Sequence, residues 1–243
     1  GLHHSDQLLS EPNDNEQQVP RVIFGVTLSS RDLDCLEDEQ WINDNIIDLW
    51  IAYLTQRKYT VIDKTKYVVF NTMFHTILSK DLDRTVTRIY PSNLLNANLV
   101  FIPVNVNNSH WVLYVISGLH LLSDAINNVK ICYCDPLSDK SQAEKIFVTK
   151  LKQSLYKYYT LRKNLQADPE RQQRFAHIQV ITLHLPHQPN SYDCGLYILR
   201  YIEEMLQLVF LENSPISSST TFNIDNTTIQ RQRVQMKQIL SHL

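Results

Sequence analysis

The chain has 243 residues, 43% hydrophobic and 20% charged, with 23 Lys and Arg against 25 Asp and Glu for a formal net charge of −2. That length can bury a core without disulfides or metal, and the near-neutral balance disfavours a nucleic-acid binder working through a general basic field. The four glycines, Gly1, Gly25, Gly118 and Gly195, lie too far apart to write G-x-G-x-x-G or G-x-x-x-x-G-K, which excludes the glycine-loop phosphate sites; four cysteines are too few for a disulfide scaffold.

Residues 1–20 are polar, lack apolar periodicity and the apolar run of a signal peptide, and read as a flexible tail. Residues 28–38 read as a short helix. From Asn43 to Leu54, the residues Ile46, Ile47, Trp50, Ile51 and Leu54 share one helical face, with Asn43 and Asp44 at its start and Trp50 as a packing residue. Residues 67–79 are mixed, a strand followed by a helical turn. Leu99–Val106 is β-rich, with Pro103 marking an edge, a bulge or the strand's end. Trp111–Ile116 and Val129–Cys134 are strands, joined by residues 117–128, rich in Asn, Ser and Leu. Ser141 and Glu144 have the spacing of a capping box that opens a helix to about Arg162. Leu165–Arg174 reads as a charged, Gln-rich connector and Ile178–Leu185 as a strand. Residues 194–211 are apolar nearly all round, the mark of a buried helix. A Ser/Thr/Asn loop over 213–227 precedes a terminal helix over Thr228–Leu243. No run approaches 18 apolar residues, so no transmembrane helix is expected, and the cysteines are expected reduced in a cytosolic-type compartment. Helices, then strands with one long helix inserted, then helices make an α+β order.

Cys35, Cys132 and Cys134 read as free thiols; a C-x-C without a second pair at finger-like spacing is a weak zinc signal. Cys194 differs. It stands between a Pro-bearing polar turn and an apolar helix that Asp193 or Ser191 can cap, where the field of a helix N-terminus favours thiolate. Gly195 is expected to leave open space beside the sulfur. A cysteine nucleophile needs a base and a group to orient it. His110 opens one strand and Asp135 ends the next. If those strands pair antiparallel, the two residues are neighbours. His184 and His187, nearer in sequence, lack a comparable carboxylate partner on this reading.

These residues together resemble the Ulp/SENP-type cysteine proteases, which remove ubiquitin-like modifiers. Trp41-Ile-Asn-Asp-Asn-Ile-Ile is similar to that family's W-L-N-D-x-x-I segment, with Ile42 for Leu. His110-Trp111-Val-Leu is similar to its H-W-x-L strand, and Tyr133-Cys-Asp135-Pro-Leu to its Y-x-D-S-L segment, with Pro136 where Ser is common. Gln188-x-Asn190-x-x-Asp193-Cys194-Gly195 matches its Q-x-N-x-x-D-C-G element in full. Phe70-Asn-Thr-Met-Phe74 resembles the family's stretch near a phenylalanine pair. The resemblance spans roughly residues 22–211.

It implies a papain-like, Ulp-type α+β fold: a central mixed β-sheet flanked by helices, with the nucleophile at the N-terminus of a buried helix. It implies one protease domain over 21–243, its catalytic core about 22–211 and a C-terminal helix about 228–243. Cys194 becomes the nucleophile, His110 the general base, Asp135 the orienting carboxylate and Gln188 an oxyanion donor. Trp41 and Trp111 would roof and wall a tunnel for a Gly-Gly tail. The implied activity is an isopeptidase or endopeptidase acting on ubiquitin or a relative such as SUMO, as a monomer, without cofactor or metal. The stretch from His110 to Asp135 is longer than usual, which makes 117–128 an insertion. The protein is expected in the cytoplasm or nucleus; with 18 Asn and 17 Gln, the composition and the compact motif core suggest a bacterial effector member acting inside a host cell, and in such members of the family ubiquitin is often the modifier. The competing readings are an acetyltransferase on the same scaffold and an inactive modifier-binding module.

Overall fold

In the computed structural model, which describes residues 20–243, the longest apolar runs form the centre of a sheet. The tail expected over 1–20 lies, apart from Pro20, outside the described residues. Strands β4 (Leu99–Val106) and β5 (His110–Ser117) pair antiparallel along their whole length, Leu99 opposite Ser117 and Val106 opposite His110. Strand β6 (Lys130–Cys134) pairs antiparallel with β5. The edges are parallel additions, β3 (Tyr67–Val69) beside β4 and β7 (Gln179–Thr182) beside β6. The sheet order is β3-β4-β5-β6-β7, a mixed sheet as expected. A separate hairpin, β1 (Arg21–Ile23) with β2 (Val26–Leu28), precedes it. Its two-residue turn needs positive φ at Phe24 (51°) and Gly25 (77°), a turn the sequence reading did not anticipate.

Both faces of the sheet are covered, and the two-residue period of a strand divides its side chains between them. Leu99, Phe101, Trp111, Leu113, Cys132 and Cys134 face one core, shared with α2 (Asp44–Tyr53), α7 (Cys194–Leu206) and α8 (Asn226–Ser241). Val100, Ile102, Val112, Tyr114, Ile131 and Tyr133 face the other, shared with α3 (Phe74–Lys80), α5 (Lys145–Arg162) and α6 (Pro169–Ala176). Short helices α1 (Ser30–Asp34) and α4 (Leu82–Arg84) complete the set. Trp50 is fully buried in the first core, the packing role its spacing predicts. Asn43 caps α2, accepting from the Ile46 N–H at 3.0 Å.

Three local expectations fail for identifiable reasons. The Ser141–Glu144 capping box does not form: α5 starts at Lys145, with Glu144 at the cap position and no side-chain cap, because the Ser141 hydroxyl is engaged elsewhere. The connector expected over 165–174 contains α6, opened by Asp168, whose side chain accepts from the Glu170 N–H, and by Pro169 at the first helical position. The strand expected over 178–185 is only Gln179–Thr182; the Leu183 N–H adds one more bond, to the Tyr133 carbonyl at 2.9 Å, before β6 ends at Cys134 and leaves nothing further to pair with. Residues 117–128 hold two 3₁₀ turns, Leu119–Leu121 and Ile126–Asn128. No helix among the described residues is long and apolar enough to cross a membrane.

Candidate active site

Cys194 is the first residue of α7 and is 2% exposed. The turn before it is closed by Asn190, whose Oδ1 accepts the N–H groups of Tyr192 (3.1 Å) and Asp193 (3.0 Å), the local bonding that makes Asn a turn residue. Asp193 occupies the N-cap position but does not cap α7, and no other side chain does. Its carboxylate instead accepts from Arg233 Nη2 (2.7 Å), Asn190 Nδ2 (2.8 Å) and Gln230 Nε2 (2.8 Å). The expected capping role is therefore replaced by a tie to α8.

The antiparallel pairing inferred for His110 and Asp135 is present. Leu113 lies opposite Cys134, so the start of β5 runs beside the end of β6. His110 Nε2 lies 2.7 Å from Asp135 Oδ1, with both side chains largely buried. Cys194 is the second group that raises the His110 pKa. With Nε2 taken by Asp135, Nδ1 is the ring nitrogen left for the sulfur. The Trp111 N–H points at Cys194 Sγ from 3.5 Å. Burial by itself would lower the His110 pKa; Asp135 and Cys194 outweigh it and hold the imidazolium up to about 9. Burial would likewise raise Asp135, but His110, the Ser141 hydroxyl and the Leu137 N–H together pull its carboxyl below the ordinary value.

Gln188 is buried two residues before Asn190. Its backbone N–H donates to the Pro136 carbonyl at 2.8 Å, which fastens the segment leading to Cys194 onto the turn after Asp135. Its Nε2 donates to the Asn190 carbonyl at 2.8 Å, while Oε1 is buried without a partner. Trp111 is buried beneath the site, its indole N–H donating to the Ile42 carbonyl at 3.0 Å. Trp41 is 49% exposed, unusual for a side chain of that size.

Gly195 does not leave open space, contrary to expectation. A Cβ there would lie 2.7 Å from Ile42 Cδ1, closer still to its Cγ1, and 3.2 Å from Trp111 Cδ1. The missing side chain lets Ile42 pack against the helix that starts at Cys194. His184 and His187, contrary to the sequence reading, do have a carboxylate partner: Asp139 pairs with His187 Nε2 at 2.7 Å and His184 Nδ1 at 3.4 Å. Cys132 and Cys134 are core thiols, burial pushing Cys132 up to about 12 and Cys134 in the same direction. A cavity of about 660 Å³, lined in part by Ile126, Arg174 and Gln179, opens at the start of β6, the opposite end of that strand from Asp135.

Two residues at the site went unnoticed in the sequence. Ser141 bonds Asp135, and nothing in its spacing distinguishes it from the cap it resembles. Arg233 was findable: it falls on the apolar stripe Ile229, Met236 and Leu240 of α8, where an unpartnered cation would be costly.

Comparison with known proteins matches residues 40–242 to the family described as the Ulp1 protease family, C-terminal catalytic domain. That match runs past residue 211, through the helix that carries Arg233. The chain is 27% identical over 221 residues to the probable ubiquitin-like-specific protease 2B of Arabidopsis thaliana, covering 84% of this chain and 23% of that protein. It is 27% identical over 188 residues to ubiquitin-like-specific protease 1 of Saccharomyces cerevisiae, covering 76% of this chain and 26% of that protein. The chain thus spans about a quarter of the length of these two relatives. The fold is similar to that of the C-terminal Ulp1 protease domain in complex with Smt3, the yeast orthologue of SUMO (TM-score 0.61, 22% identity, 98% of this chain and 92% of that one). It is also similar to the Xanthomonas campestris effector protein XopD bound to ubiquitin (TM-score 0.51, 18% identity, 80% and 90%).

Proposed function

The chain belongs to the Ulp1 protease family, a family of cysteine proteases, and from that premise we propose that it cleaves after the C-terminal Gly-Gly of ubiquitin or a ubiquitin-like modifier. The observation that carries this reading is the contiguous Cys194–His110–Asp135 arrangement at the start of a buried helix. Cys194 is the nucleophile, His110 the base and later the acid, and Asp135 the group that orients and stabilises the imidazolium. The thiolate attacks the carbonyl of the modifier's last glycine. The tetrahedral oxyanion is met by the Cys194 N–H and by the Gln188 amide, which the Asn190 carbonyl turns so that Nε2, not Oε1, can face it. His110 then gives its proton to the leaving amine, and water releases the modifier from the acyl-enzyme.

The half-exposed Trp41, one residue before the Ile42 that packs on Gly195, and the buried Trp111 would form a narrow passage suited to a substrate with no side chain at its last two positions, where a side chain would clash. Ubiquitin is the modifier that the resemblance to effector members of the family favours. A neighbour of this fold bound to ubiquitin and another bound to Smt3 support a modifier of that class. The intact Cys194, His110 and Asp135 cluster weighs against an inactive binding module.

A panel of ubiquitin and ubiquitin-like proteins carrying a C-terminal electrophile tests the reading. Ubiquitin is expected to form a covalent adduct that Cys194→Ala abolishes. An adduct confined to SUMO would correct the modifier and keep the chemistry. No adduct with any Gly-Gly probe would overturn the proposal.

A further inference from the structure

The Asp135 carboxylate is held by more than His110. Its Oδ1 accepts from His110 Nε2 (2.7 Å) and from the Leu137 N–H (2.8 Å). Its Oδ2 accepts from the Ser141 hydroxyl at 2.5 Å, and the Tyr133 hydroxyl lies 3.4 Å away. Ser141 and Tyr133 are themselves 3.0 Å apart. A serine has one proton to donate. Given to Asp135, it leaves the Ser141 oxygen free to accept from Tyr133, and the two hydroxyls form one directed chain ending on the carboxylate. Pro136, next to Asp135, has neither an N–H nor a hydroxyl to offer, so the second side of the carboxylate is served from six residues on.

We propose that Ser141, backed by Tyr133, is a positioning residue for the reaction, locking the Asp135 carboxylate so that Oδ1 holds His110 Nε2 and Nδ1 faces Cys194. This rests on the triad reading above. A carboxylate anchored on one oxygen alone rotates about its Cβ–Cγ bond, and each rotation releases the imidazole. Three observations make the site more than a chance loop contact. The bond is short and charge-assisted. It is made at the expense of a helix cap that Ser141 has the sequence spacing to form. Its backing hydroxyl comes from β6, a strand fixed in the sheet, and not from a mobile surface.

The test measures two rates against pH in wild type and in Ser141→Ala, Ser141→Thr and Tyr133→Phe. One is turnover of the Gly-Gly modifier that labels wild type in the panel; the other is alkylation of Cys194 by iodoacetamide, followed on the Cys194 peptide by mass spectrometry. Ser141→Ala is expected to lower kcat about 10-fold with KM within about twofold, as loss of a group that orients a reactive residue does. The alkaline limb of both profiles, set by His110, moves to lower pH. Threonine, which keeps the hydroxyl, restores the profile, and Tyr133→Phe falls between. A wild-type profile in Ser141→Ala, or a threonine variant no better than alanine, overturns the proposal whatever happens to stability. If wild type itself reacts with no probe, it is the triad reading that has failed.

Discussion

Arg233 in the last helix and Asp193 beside Cys194 form an ion pair 2.7 Å long, with the two side chains 1% and 0% exposed. The same guanidinium donates to the carbonyls of Cys35 (3.1 Å), Glu37 (2.8 Å) and Gln40 (2.8 Å), the segment that ends at Trp41. One side chain thus ties together the two stretches that flank the candidate catalytic cysteine. Removing Arg233 would leave the buried Asp193 with its two amide donors but no cation, and would take one donor from three carbonyls. Arg233→Ala is expected to cost about 3–5 kcal/mol in urea denaturation. Arg233→Lys should recover little, because an ammonium cannot span four acceptors arranged for a planar fork. A lysine variant as stable as wild type would refute this account.

Gly195 makes a packing prediction. Gly195→Ala forces its new Cβ into Ile42 and is expected to cost about 1–3 kcal/mol. Ile42→Ala removes the atoms it meets. The double variant should therefore lose less than the sum of the two single losses, a coupling that a thermodynamic cycle measures directly. Strict additivity would mean that the glycine is needed for some other reason.

His110 governs a pH dependence whose sign follows from its surroundings. Its folded pKa, about 9, lies above the ordinary 6.5. The imidazolium therefore contributes stability that is fully present below pH 6.5 and is lost as pH rises through 9. Asp135, shifted the other way, contributes stability lost as pH falls through its lowered value. The His110 ring resonances should titrate near 9 in wild type and lower in both Cys194→Ala and Asp135→Asn, each of which removes one of the partners that raise it. A wild-type titration at or below 6.5 would dismiss the coupling.

The roles proposed for Gln188 and Cys194 can be separated kinetically. As the proposed oxyanion donor it matters only once a tetrahedral intermediate forms, so Gln188→Ala should lower kcat about 10²–10³-fold with little change in KM. Alkylation of Cys194 by iodoacetamide, which creates no oxyanion, should proceed at the wild-type rate. Slowing of both reactions together would make Gln188 a structural residue.

Much of the fold was legible along the chain, because long apolar runs in strands and one-sided apolar stripes in helices are local patterns. The runs 99–106 and 111–116 lie in β4 and β5, and the stripe from Ile46 to Leu54 is the buried face of α2 and the turn that follows it. What went unread was short or polar: the Phe24-Gly25 hairpin, the eight residues of α6, and the true start of α5. Each is decided by a few polar contacts that carry no periodic signal: the Phe24-Gly25 turn, the Asp168 cap on the Glu170 N–H, and the Ser141 hydroxyl turned to Asp135.

The same division runs through the candidate site. Cys194, His110 and Asp135 stand out in the sequence because each sits at a helix start or a strand end, where backbone geometry aims the side chain, whereas Gln188, in the loop before Cys194, stands out only through the motif it shares with the family. Their neighbours could not be found that way. Ser141 reads as a helix cap until Asp135 is placed 2.5 Å from it. His184 and His187 lack a partner until Asp139 arrives from nearly 50 residues away. Gly195 reads as empty space until Ile42 fills it. The sequence by itself determined which groups can do chemistry, since that is a property of residue type and local backbone. Only the tertiary structure decided which of them are held, by what and how tightly, because a hydrogen bond or a van der Waals contact depends on a distance that packing alone sets.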